Sequence, residues 1–147
     1  MGLDQFAYEL GNKVGEDHPN YDKFGGYDYR SELAYWRKHN RLHGWMEDLY
    51  RDKGNLIEDT PMGSDFNCVE LELSESDLEQ LEAHVENKSL PETGGFFFGD
   101  DSFDWADDDG KPLAKGDYYY KKDDVKFIAL ARQALEEGKK VFYDSWW

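Results

Sequence analysis

His39 and His43 lie four residues apart, the spacing at which one helical face presents two imidazoles to a shared metal ion. Between them stand Asn40, Arg41 and Leu42, so the glutamate of a metalloprotease-type pair is missing, and no third ligand sits in the obvious places. The spacing leaves two readings: hydrogen-bonded histidines at the edge of a core, or His43 as a donor that faces a ligand. No metal and no other cofactor is expected. Asp107, Asp108, Asp109 and Gly110 suggest a calcium loop, but the register fails. With Gly110 in the sixth position, Trp105 and Gly116 fall where aspartate and glutamate are required. Cys68 has neither a basic companion nor a second cysteine and reads as a small core residue. Thr93-Gly94-Gly95 offers a hydroxyl and approachable backbone N–H groups, which can hold an anion. No phosphate-cradling loop or nucleophile elbow is present, so binding without turnover is expected rather than catalysis.

The elements that must position these groups follow from periodicity. Leu3, Phe6, Ala7 and Leu10 have helical spacing before Gly11, and residues 18–29 interleave glycines with Tyr21, Phe24, Tyr27 and Tyr29. Residues 1–30 therefore read as an aromatic, glycine-containing arm that packs by its rings, and residues 31–147 as one domain. A helix is expected from Ser31, as N-cap, to Lys53, with Gly54 as its stop. On it Tyr35, Trp36, His39, Leu42, His43, Met46, Leu49 and Tyr50 share an apolar arc. Phe66–Leu73 alternates as a strand with an irregular step at Val69–Glu70, and Ser74 with Asp77 forms a capping box opening a helix to Asn87. Gly94–Gly99 reads as a short strand and residues 100–110 as an acidic loop. Tyr118-Tyr119-Tyr120 is expected to extend or pair the sheet. Asp123 or Asp124 should cap a third helix, buried through Val125, Ile128, Ala129, Ala131 and Leu135 and ended by Gly138; residues 141–147 form a last strand. The fold class expected is α+β: a small antiparallel sheet packed against about three helices.

The charge is −16 over 147 residues, and residues 61–110 alone carry 15 acidic groups against one basic. Such a field repels a long nucleic-acid backbone and favours basic partners. Five Trp, ten Tyr and nine Phe supply enough rings for a core and a binding surface, so the chain is folded rather than disordered and a homo-oligomer is expected. One cysteine excludes a disulfide framework, and no apolar run approaches the ~20 residues of a membrane span, so a soluble chain without membrane association is expected.

The run Tyr35-Trp36-Arg37-Lys38-His39-Asn40-Arg41-Leu42-His43-Gly44-Trp45, then Leu90-Pro91-Glu92-Thr93-Gly94-Gly95-Phe96-Phe97-Phe98-Gly99, then Tyr118-Tyr119-Tyr120, resembles a widespread family of small tailed-phage and prophage proteins. The likeness covers roughly residues 31–147. It departs from the family pattern at His39, at Gly44 and in the longer aspartate-rich insert. The resemblance implies a role in the host cytoplasm in evading anti-phage defence, some members acting as sponges for cyclic nucleotide signals.

Residue chemistry and resemblance together define the expected ligand site: Trp36, Arg37, Asn40, His43, Trp45, Thr93, Gly95, Phe97 and Tyr119. Trp36, Trp45 and Tyr119 would stack on bases, while Arg37, Asn40, His43 and Thr93 would donate to phosphate. On a continuous helix Arg37, Asn40 and His43 climb one side, with Trp36 beside them. The function expected is sequestration of a cyclic or linear nucleotide. An acidic inhibitor of a host or defence protein is the alternative, and a small phosphoesterase using His39 and His43 a third reading.

Overall fold

The computed structural model describes residues 3–55, 59–60, 63–64, 66–91 and 120–146. The chain runs β1 (Asp4–Leu10), β2 (Arg30–Arg37), α1 (Asn40–Asp52), β3 (Asp59–Thr60), β4 (Gly63–Ser64), β5 (Leu71–Leu73), α2 (Glu75–Glu86), α3 (Lys121–Glu136) and β6 (Lys140–Trp146). Strands β2, β1, β6 and β5 lie side by side in that order, every pair antiparallel. Three helices pack against this sheet, the α+β architecture expected from the sequence.

Two strands stand where helix was expected. In β1 the side chains obey a period of two: Gln5 and Ala7 are buried, whereas Asp4 and Phe6 are partly exposed. The helical spacing of Leu3, Phe6, Ala7 and Leu10 misled because Gln5, a polar residue, takes a core position. A register shift against β2 between Ala7 and Tyr8 then buries Tyr8 as well. The segment set apart as an arm thus supplies a strand inside the sheet.

The second correction concerns residues 31–39. Ser31 is no helix cap, because residues 30–37 pair with β1 along their whole length. Trp36 points into the core and Tyr35 and Arg37 point away from it, an alternation that a helix cannot give. Lys38 then adopts a left-handed backbone, φ 58°, at a cost of about 1–2 kcal/mol for a side chain with a Cβ. Its N–H donates to the Leu3 carbonyl at 2.8 Å, which anchors the turn. Helix α1 starts only at Asn40, with His39 in the cap position and no side-chain cap bond, and it stops as expected before Gly54, φ 91°. His39 and His43 are 1% and 3% exposed, whereas Arg37 is exposed and Arg41 half-buried, so the two histidines of the expected apolar arc are buried without the expected helix.

Residues 11–29 lengthen the β1–β2 hairpin. Gly11 N–H donates to the Tyr29 carbonyl at 3.0 Å, Asp28 N–H to Asn12 and Val14 N–H to Gly26. At Gly11 a Cβ would sit 2.0 Å from Asp28 Oδ1 and 2.4 Å from the Tyr29 ring, so only glycine fits. Beyond it the tip folds back over the sheet through Gly25 and Gly26, both at positive φ.

Phe66 is buried as expected, but Cys68 is not: it is exposed, with φ 58°. The backbone irregularity falls at Cys68, just ahead of the step expected at Val69–Glu70, and the strand shortens to Leu71–Leu73. Ser74 and Asp77 form the expected capping box, each side chain accepting from the other's backbone N–H. Lys53 Nζ, 2.6 Å from Asp77 Oδ2, and the Ser74 bonds hold the Asp77 carboxyl below its usual range against the opposing effect of burial. Ser74→Ala should cost about 1 kcal/mol, read as a lower urea midpoint with unchanged m-value. α2 packs inward through Leu78, Leu81 and Val85, as expected. In α3 the inward set is Phe127, Ile128, Ala131 and Ala134, while Val125 and Ala129 face outward. Neither Asp123 nor Asp124 caps this helix; Tyr120 holds the cap position. The expected strand at 94–99, the acidic loop 100–110 and Tyr118 and Tyr119 lie outside the described residues.

Candidate functional site

The helix-covered face of the sheet encloses a polar network. Asp124, in the first turn of α3, accepts from Trp36 Nε1 at 2.9 Å through Oδ1, and its Oδ2 lies 2.7 Å from His39 Nε2. Both side chains of the His39–Asp124 pair are at most 2% exposed. The Tyr120 ring stacks on the His39 ring with centroids 4.2 Å apart, and its hydroxyl donates to the Arg37 carbonyl. Gln5 bridges the halves of the network. Its Oε1 accepts from His39 N–H, and its Nε2 donates to the His39 carbonyl and to the Tyr143 hydroxyl. Tyr143 in turn lies 2.8 Å from His43 Nδ1. Burial pushes the His43 imidazole down to about 3, opposed by a hydrogen bond to the Phe66 backbone. The ring is therefore neutral, with Nδ1 accepting from Tyr143 and the other nitrogen donating. Burial likewise pushes the Tyr143 hydroxyl above its ordinary range. This network is built to fix β1, β6, α1 and α3 to one another. Its histidines are core residues, and among the described residues no cluster of His, Cys, Asp and Glu could hold a metal ion.

The expected ligand residues are dispersed by the change from helix to strand. Trp36 packs edge-on against Phe127, with its N–H already bonded to Asp124. Asn40 and His43 are buried, His43 against the rings of Phe66 and Tyr143. Arg37 is on the opposite face of the sheet, its Nη1 3.8 Å from Asp4 Oδ1. Trp45 lines a different cavity, of about 280 Å³, between α1 and α2, with Asp48, Asp52, Gln80 and His84. Thr93, Gly95, Phe97 and Tyr119 lie outside the described residues.

The open face of the sheet carries a site that the residue spacing did not point to. A cavity of about 340 Å³ is bounded by Tyr8 of β1, Arg30 of β2, Phe142 of β6, Glu70 before β5, and Lys23, Phe24, Gly25 and Tyr27 of the hairpin tip. The rings of Tyr8 and Phe142 lie side by side on neighbouring strands, 5.6 Å apart and 16° from parallel. The Arg30 guanidinium sits over Tyr8, 3.6 Å from the ring centre. Burial, then a hydrogen bond to Glu70, pushes the Tyr8 hydroxyl above its usual range. Lys23 Nζ lies 5.0 Å from the Phe24 ring centre. Phe24, Tyr27 and Phe142 remain partly exposed and border the cavity. The one signal in the sequence was the alternation of rings and glycines at 21–29; nothing placed it beside Phe142.

Comparisons with protein families, with curated proteins and with solved structures find no match. Among the described residues no helix is long and apolar enough to cross a membrane.

Proposed function

We propose that this is a non-catalytic nucleotide-binding protein that acts by sequestration, with its ligand in the cleft under the hairpin tip. The observation that carries this reading is the meeting of three partly exposed rings and two cations on one cavity, in a chain whose net charge is −16. Rings of this kind stack on a base, and a guanidinium with an ammonium binds phosphate by charge-assisted hydrogen bonds. Local cations overcome the repulsion that the bulk field imposes on an anion. A cavity of about 340 Å³ is at the small end of ligand sites, roughly 300–1,000 Å³, and suits a mononucleotide better than a dinucleotide. The phage-type motifs at 35–45 and 90–99 support a counter-defence role for such a sponge. Tyr35 and Trp146, 48% and 65% exposed on the same sheet face, support self-association.

Calorimetry with linear and cyclic mononucleotides and with cyclic dinucleotides tests the reading. Arg30→Ala and Tyr27→Ala should each weaken binding by about 1–3 kcal/mol. Arg37→Ala, at the other end of β2, should leave it unchanged, and the nucleotide should be recovered intact. No binding tighter than about millimolar, or full binding by both folded cleft variants, rejects the site. A cleaved product rejects sequestration.

A further inference from the structure

We propose that Glu70 makes the cleft selective for a guanine base, an inference that rests on the nucleotide reading above. Glu70 is the only carboxylate bordering the cavity, among the described residues, and it stands among two cations and four rings. Phosphate is repelled by a carboxylate and drawn to Lys23 and Arg30, so a bound nucleotide presents its uncharged part to Glu70, and the rings lining the same cavity draw the base there ahead of the ribose. Glu70 and Tyr8 line the same cavity, which places the carboxylate at its wall. Two carboxylate oxygens offer about four acceptor sites to a ligand's donors. The carboxylate has no donor of its own. Among the common bases guanine alone presents two adjacent donors, N1–H and the 2-amino group, on one edge. Adenine and cytosine instead place a ring-nitrogen lone pair beside their amino group, and uracil flanks its N3–H with two carbonyls. Each would set an acceptor against the carboxylate, leaving a charged group poorly paired.

The test is a set of dissociation constants for GMP, IMP, AMP, CMP and UMP with the unaltered protein and with Glu70→Gln. GMP should bind at least tenfold more tightly than AMP, CMP or UMP, and IMP, which keeps N1–H but lacks the 2-amino group, should fall between GMP and AMP. Glutamine keeps the size of the side chain and one acceptor oxygen but adds a donor, so Glu70→Gln should bring GMP and AMP within about threefold of each other. Equal binding of GMP and AMP by the unaltered protein, or a GMP preference retained in a folded Glu70→Gln protein, overturns the selectivity and leaves the cleft assignment standing. If none of the five nucleotides binds, the cleft assignment falls and the selectivity with it.

Discussion

Asp124→Ala is expected to remove about 3–5 kcal/mol of folding stability, the usual cost of leaving one member of a buried pair uncompensated. The aspartate serves two donors from two other elements, Trp36 Nε1 of β2 and His39 Nε2 just before α1. Removing it strands an indole N–H and an imidazole in a part of the core that water does not reach. A loss of that size is a large share of the roughly 5–15 kcal/mol that holds a typical domain folded. Urea denaturation should show a sharply lower midpoint for Asp124→Ala, while the exposed neighbour change Asp123→Ala stays within about 0.5 kcal/mol of the parent. Asp124→Asn keeps an acceptor for the indole and should fall between the two. A loss below about 1 kcal/mol for Asp124→Ala would show that the pair does not hold the elements together.

Acidification should weaken the fold through His43 from about pH 6.5 downward, a loss that begins above the range in which carboxylates protonate. In the folded chain this imidazole is held down to about 3, against 6.5 when unfolded, chiefly by burial. Between those values the unfolded chain takes up a proton that the folded chain refuses, so stability is fully present above about 6.5 and falls as the pH drops towards 3. At about 1.36 kcal/mol per pH unit, the interval corresponds to a loss on the order of 3–5 kcal/mol. Unfolding free energies measured from pH 7 to pH 3 should decline along that window for the parent and less steeply for His43→Gln. Parallel profiles for the two proteins would remove His43 as the cause.

What could be read from the sequence was chemistry confined to a few consecutive residues. Ser74 and Asp77 announce α2 because a capping box needs only four residues, and Gly54 and Gly138 mark stops because their positive φ angles follow a helix end directly. The spacing over residues 31–39 is ambiguous because Trp36, His39, Leu42 and His43 satisfy a helical arc, while Tyr35, Trp36 and Arg37 also fit the out-in-out order of a strand. The decision between the two lies in pairing with β1, a partner some thirty residues away, and in the backbone of Lys38. Gln5 hid β1 because its amide is satisfied only by His39 and Tyr143, contacts that exist once the sheet is assembled. The aromatic cleft was illegible for the same reason. Its parts come from β1, β2, β6, the hairpin tip and the approach to β5, and no short window contains more than a few of them.

The pairing of β1 with β6 sets the order of events during synthesis. Asp4 lies opposite Trp146, and Leu10 opposite Lys140, so this central ladder spans almost the whole described chain. Closing so long a loop costs more entropy than closing the β1–β2 hairpin, and contacts so distant in sequence form late. On the ribosome β1 and β2 can zip together early. The other edge of β1 then stays bare until residues 140–146 emerge, and a bare strand edge is a template for pairing with another chain. The nascent chain is thus most exposed to misassembly just before its synthesis reaches β6, and a stall there would leave the cavity under the hairpin tip without its Phe142 wall.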